Sequence, residues 1–195
     1  MNEIKRCDWC LSDDIYMDYH DTEWGVPVHD DRKQFEFLVL ESAQAGLSWL
    51  TILKRRDGYR KQYNNFDPEQ VARFDDKRVE KMLLDTGIIR NRKKIESSIN
   101  NARLFLDIQN SHGSFCNYLL DFTGGKQVVN QHRLLTDIPA TTPLSDTISK
   151  DLKIRGFRFL GSTIIYAHLQ ATGLVNDHLT DCFRYSESQE SGSFT

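Results

Sequence analysis

The stretch from Arg155 to Cys182 constrains this chain more than any other. It opens on a turn bracketed by Gly156 and Gly161, runs through a helix-length segment from Ser162 to Ala171, and reaches Gly173, a natural helix stop. It closes on His178 and Cys182, four residues apart and so on one face if that segment is helical. A helix, a short glycine-rich turn and a second helix point free N–H groups at an anion. The same pattern also describes a plain αα-hairpin with a glycine cap. Lys153, Arg155 and Arg158 around the turn favour the phosphate-binding reading.

Upstream, apolar residues recur at helical spacing. Asp30 and Asp31 make an acidic N-cap, and Phe35, Leu38, Val39 and Ala43 form the face of a helix running to about Ala45, with Gly46 as its cap. Ser48 caps the next helix, which carries Leu50, Ile52 and Leu53 into Lys54, Arg55, Arg56 and Tyr59. Shorter helices are expected from Pro68 to Arg73 and from Lys77 to Leu84, a longer one from Asn91 to about Phe105, and another around Phe115 to Phe122. Gly124 to Pro143 is loop-rich, and Ser145 begins a helix through Ile148, Leu152 and Ile154 that feeds the opening stretch. No convincing strand and no repeat interrupts this pattern, so the fold class is all-α. Residues 1–185 are expected to form one domain, with the helix–turn–helix at 145–172, and the polar residues 186–195 a disordered tail.

The 195 residues are 27% charged and 39% apolar, the balance of a folded soluble protein. No apolar run is long enough to span a bilayer and the N-terminus lacks a signal-peptide core, so a cytoplasmic protein with no membrane partner is expected. A net charge of −3 argues against indiscriminate coating of nucleic acid but leaves room for local basic faces. Lys54-Arg55-Arg56, Arg90 with Arg92-Lys93-Lys94, and Lys150, Lys153, Arg155 and Arg158 are such clusters; each could equally be a solvated helix face.

Four cysteines in a reducing compartment read as metal ligands or buried thiols before disulfides. His178 and Cys182 are half of a tetrahedral set that Cys7 and His20 could complete, with Cys10 competing for Cys7's place. Cys116 sits in an apolar helical context and reads as core. Residues 1–28 are rich in aromatics without a clear period, so a metal clamping the two termini would give that segment something to hold it. Glu41 lies inside a helix among residues that look buried, a costly placement unless the carboxylate has a partner or a job. Trp9, Tyr16, Tyr19, Trp24 and Trp49 are ordinary core material, or else a box for a flat, electron-poor or cationic ring.

Five stretches together resemble the DNA-3-methyladenine glycosylase I family, a branch of the helix-hairpin-helix DNA glycosylases. They are Tyr16 to Pro27 (YMDYHDTEWGVP), Leu40-Glu41 through Gln44-Ala45-Gly46-Leu47-Ser48-Trp49, Gly87 to Arg90, Arg155-Gly156-Phe157 through Gly161, and Gly173 to His178. The resemblance implies a monomeric, monofunctional enzyme that flips 3-methyladenine out of double-stranded alkylated DNA and hydrolyses its glycosidic bond. It implies one structural zinc per chain on Cys7, His20, His178 and Cys182, base recognition by Glu41, and a pocket lined by Trp9, Tyr16, Tyr19, Trp24 and Trp49. DNA contact is then expected at Arg158, Gly161, Ser162 and Thr163, and at Leu47, which could enter the gap left by a flipped base or equally sit in the core as part of a helix-connecting turn. Asp177 is a weaker catalytic alternative, better read as orienting His178. No lysine follows Lys153, which removes the amine a lyase would need on the hairpin.

Overall fold

The computed structural model describes residues 4–190. After a 3₁₀ turn at Asp8–Cys10 comes α1 (Asp14–Thr22), a helix that the apolar pattern does not announce. It forms because the Asp13 carboxylate accepts from Ile15 N, and because Tyr19 and His20 give it a buried face.

Helix α2 (Asp31–Gln44) is the centre of the molecule. Asp30 caps it through Lys33 N at 2.7 Å, and every residue from Gln34 to Ala43 is buried, so it is surrounded rather than amphipathic. Its C-terminal carbonyls, Ala43 and Ala45, accept hydrogen bonds from Lys94 Nζ at 2.8 and 2.7 Å. Lys94 is thereby withdrawn from any basic face.

The single helix expected after Ser48 is two, α3 (Trp49–Leu53) and α4 (Arg56–Gln62), because Arg55 leaves the helical region (φ −109°, ψ 3°). Next come α5 (Pro68–Ala72), α6 (Asp76–Leu84), α7 (Arg92–His112) and α8 (Phe115–Asp121). Helix α7 runs a further two turns past the expected Phe105, burying Ile108, until Gly113 stops it with φ 82°. Cys116 is in the core, as expected.

Helices α9 (Pro143–Ile154) and α10 (Ser162–Ala171) flank the glycine turn. The first begins two residues earlier than Ser145 because Thr142 caps it and Pro143 occupies its first position. Helix α10 packs on both α9 and α2. Gly173 (φ 76°) then turns the chain against the Trp24–Pro27 segment; a Cβ there would lie 2.6 Å from Pro27 N. Only glycine permits both the angle and the approach.

The expectation of no strand is corrected by a minimal parallel pairing, β1 (Val128–Val129) with β2 (Val175–Asn176), Val128 opposite Val175. Two residues per strand are too few to show a period of two. The tail is corrected too: Arg184–Glu190 forms α11, with Ser188 buried and Tyr185 O accepting from Asn176 Nδ2. Residues 191–195 lie outside the described part.

Two apolar clusters result. The larger joins α2 to α3–α10; the smaller gathers Cys7, Tyr19, Trp24, Ala171, Leu179 and Cys182 from the two ends of the chain onto Phe37 of α2 and Leu53 of α3. No helix among the described residues is long and apolar enough to cross a membrane.

Candidate active site and metal centre

A cavity of about 320 Å³ opens between α1, α2, α3 and α10. Trp9, Tyr16, Tyr19, Trp24, Trp49 and Glu41, six residues singled out in the sequence, all line it. Trp9 is the hub of the aromatic wall: its ring meets Tyr16 at 5.2 Å and Trp24 at 5.1 Å, both edge-to-face, while Tyr19 meets Trp49 at 5.6 Å. Burial raises the Tyr16 and Tyr19 hydroxyl pKa values, the latter well above normal with the Glu41 charge adding to it, so both stay neutral phenols.

Glu41 is 2% exposed. Its Oε2 lies 2.9 Å from His168 Nδ1, whereas its Oε1 is buried without any protein partner. Burial pushes the carboxyl up, and His168 opposes that push through charge and hydrogen bond. An orphan acceptor in an aromatic cavity is an unmet hydrogen bond, costly until a donor arrives. The indole Nε1 of Trp49, on the same lining, is likewise buried and unpaired, a donor beside the unpaired acceptor.

The rest of the wall escaped sequence reasoning: Gln44, Leu135, Ile138, Ala167, Gln170 and Ala171. Ala167, Gln170 and Ala171 follow α10's own period on the side facing α2, a signal present in the sequence once that face is known. Leu135 and Ile138 come from the loop after β1, whose placement is a tertiary matter.

The four expected metal ligands also converge. Cys7 Sγ, His20 Nε2, His178 Nδ1 and Cys182 Sγ all lie within 4.8 Å of one another and are buried. The outer ring nitrogens are occupied: His20 Nδ1 by Asp21 at 2.8 Å, itself gripped by Arg6, and His178 Nε2 by Trp24 O at 3.2 Å. Each imidazole thus turns its free lone pair inward, the arrangement a tetrahedral metal needs. Cys10 is excluded from this set; its thiol donates to Cys7 O at 3.1 Å. The Cys182 thiol is held far below normal by the hydrogen bond from Cys7, then by His178 and His20, while the same bond and burial push Cys7 up. A cation at the centre would resolve that competition by taking both as thiolates.

Two expectations change. His178 and Cys182 do not share a helix; they meet because a turn after β2 brings Cys182 N to Leu179 O. Asp177 does not orient the His178 ring: its carboxylate takes Tyr166 OH, Gln170 Nε2 and Asn130 Nδ2 and contacts His132, and it stands outside the cavity wall.

The turn between α9 and α10 is anchored from α7. Asn101 accepts from Arg158 N at 2.9 Å and donates to Arg158 O at 2.8 Å, and Asn100 donates to Gly156 O. Phe157 and Leu160 are buried while Arg158, Phe159, Gly161 and Thr163 face outward, and Ser162 Oγ pairs with Ser145 Oγ. Leu47 is exposed beside the cavity helix α2, not in the core. The basic clusters divide differently. Arg56 is locked between Glu23 and Glu36, and Arg92 pairs with Glu80 and Glu96, whereas Lys150, Lys153 and Arg158 remain exposed near the turn.

Comparison with known proteins agrees with this geometry. The chain is 46% identical to DNA-3-methyladenine glycosylase 1 of Escherichia coli (strain K12) over 182 residues, 93% of this chain and 97% of that one. It is 42% identical to DNA-3-methyladenine glycosylase of Haemophilus influenzae over 177 residues, 91% and 96% of the two chains. A solved 3-methyladenine DNA glycosylase I superposes with a TM-score of 0.88 at 49% identity, covering 92% of this chain and 98% of that one. The Staphylococcus aureus enzyme, solved for its recognition of 3-methyladenine, gives 0.89 at 37% identity over 92% and 96%. With residues 9–185 matching the Methyladenine glycosylase family, the chain belongs to the DNA-3-methyladenine glycosylase I family.

Proposed function

We propose that residues 1–185 act as one monomeric, cytoplasmic base-excision repair glycosylase that releases 3-methyladenine from double-stranded alkylated DNA by hydrolysis. The observation that carries this reading is Glu41 Oε1, a buried acceptor with no protein partner inside a cavity walled by Trp9, Tyr16, Tyr19, Trp24 and Trp49. The E. coli and S. aureus relatives carry this activity or ligand in their names.

Methylation at N3 makes adenine cationic and therefore a good leaving group, so little general-acid help is needed. Selection rests on binding. Each aromatic face attracts the cation by about 0.5–2 kcal/mol when desolvated, and stacking a base on an aromatic ring adds roughly 1–3 kcal/mol. Glu41 Oε1 accepts a hydrogen bond from the exocyclic amine and favours the cation over neutral purines. Flipping costs a few kcal/mol, and less for a damaged base. Leu47 enters the gap that the flipped base leaves. The N–H groups of Gly161, Ser162 and Thr163, with Arg158, hold the backbone phosphates in a helix-hairpin-helix grip. No lysine follows Lys153, so the helix after the hairpin carries no amine for a lyase step, and the buried Lys94 is spent on the end of α2.

Cys7, His20, His178 and Cys182 would hold one zinc, in a structural role. Trp9 and Tyr19, close to Cys7 and His20 in the chain, would thereby be held against the Glu41 cavity.

The test is incubation with duplex DNA treated with a methylating agent. Free 3-methyladenine should appear and leave intact abasic strands. Absence of release contradicts the activity, and strand nicks would contradict its monofunctional character.

A further inference from the structure

Glu41 does not stand alone. Behind it, on the side away from the cavity, His168 of α10 is fully buried with both ring nitrogens engaged: Nδ1 with Glu41 Oε2 at 2.9 Å and Nε2 with Gln34 Oε1 at 2.8 Å. The direction of this chain can be read from its far end. Gln34 Nε2 donates to Val28 O at 2.7 Å, so the amide presents its oxygen to His168. A reversed amide would set two oxygens against each other. His168 Nε2 therefore carries a hydrogen, and the imidazole's second proton position, Nδ1, is the one that faces Glu41.

One proton lies between Nδ1 and Oε2. Whichever atom holds it, Oε2 is occupied and Oε1 is the oxygen left for the cavity. A lone carboxylate this deeply buried takes up a proton and becomes a poor acceptor for a cation. A hydrogen-bond partner held in place behind it opposes that and keeps the free oxygen an acceptor. His168 does not line the cavity, so it acts only through Glu41.

We propose that His168 is a positioning residue for base recognition: it fixes Glu41 through Oε2 and so aims Oε1 at the base. The inference rests on the reading of Glu41 given above.

A double-mutant cycle tests it, with free 3-methyladenine as the probe and the fluorescence of Trp9, Trp24 and Trp49 as the reporter. His168→Gln keeps the bond to Gln34 and loses the one to Glu41. It should weaken binding by about tenfold, the worth of a hydrogen bond to a charged group. In a Glu41→Gln background the same change should have almost no further effect, because the partner through which it acts is gone. His168→Asn, whose amide nitrogen falls near Nδ1, should recover part of the loss. Equal losses in both backgrounds would mean a packing role and overturn the inference, as would unchanged binding by His168→Gln. If Glu41→Gln itself binds normally, the reading of Glu41 fails instead. Should His168→Gln not fold, ring-nitrogen NMR of the unaltered protein decides. A protonated Nε2 throughout, with Nδ1 shifting on saturation by 3-methyladenine, is expected, and a bare Nε2 would contradict the assigned direction.

Discussion

Tyr19 and His20 are neighbours on α1 yet belong to two different sites: Tyr19 lines the Glu41 cavity, while His20 turns Nε2 to within 3.5 Å of Cys182 Sγ. One turn of helix therefore couples the metal cluster to the aromatic wall. Trp9 repeats the relationship, two residues after Cys7 and 5.4 Å from the His20 ring. The clamp and the pocket are built from the same segment, so what loosens one loosens the other.

Removing a ligand should therefore cost both stability and base affinity. Cys182→Ser is expected to lose zinc and several kcal/mol, lowering Tm by about 10 °C or more, and to weaken 3-methyladenine binding. Cys10→Ser should keep the metal and lie within about 1 kcal/mol of the unaltered protein, because the hydroxyl preserves the bond to Cys7 O. Metal analysis with thermal melting separates the two. Equal zinc content in both variants would remove the clamp from this account.

How much of this was legible beforehand varies with distance along the chain. The caps of α2, α3 and α10 and the ligand set were readable because they rest on local chemistry or on residues of distinctive type. Helix α1 was missed because its buried face is two residues, Tyr19 and His20, with no apolar repeat. His168 was missed although a signal existed: a buried Glu41 demands a buried partner, and His168 is the one imidazole within the apolar α10. Only packing of α10 on α2 joins them across 127 positions. The role of Lys94 is of the same kind, since a basic cluster in sequence does not reveal that one of its members caps another helix from behind.

The hairpin depends on α7. Asn101→Ala removes both side-chain bonds to Arg158, costing roughly 1 kcal/mol for each part-buried bond lost. Duplex affinity should fall further than affinity for the free base if, as proposed, DNA alone is gripped by the turn. Urea denaturation and paired titrations with duplex and with 3-methyladenine check this. Equal losses for the two ligands would detach the hairpin from DNA binding.

Acid should release α1 from the α2–α4 side before it reaches the core. Burial would raise Glu23, but Arg56 and Lys33 outweigh it and hold the carboxyl at about 2. A folded value below the unfolded one gives stability that is complete above about pH 4.5 and lost as the pH falls toward 2. Glu23→Gln should thus be less stable by on the order of 2 kcal/mol at pH 7, the gap closing as the pH approaches 2. Urea midpoints across that window measure it, and a gap independent of pH would exclude the ion pairs as its source.

The central claim is that Glu41, inside its aromatic box, selects the methylated base. Its most direct measurement is the single-turnover rate of 3-methyladenine release from methylated duplex by Glu41→Gln and by the unaltered protein. Glu41→Gln should be slower by at least about 100-fold, the scale of losing one preorganised electrostatic group, with an almost unchanged Tm. Equal rates from two equally folded proteins would contradict it.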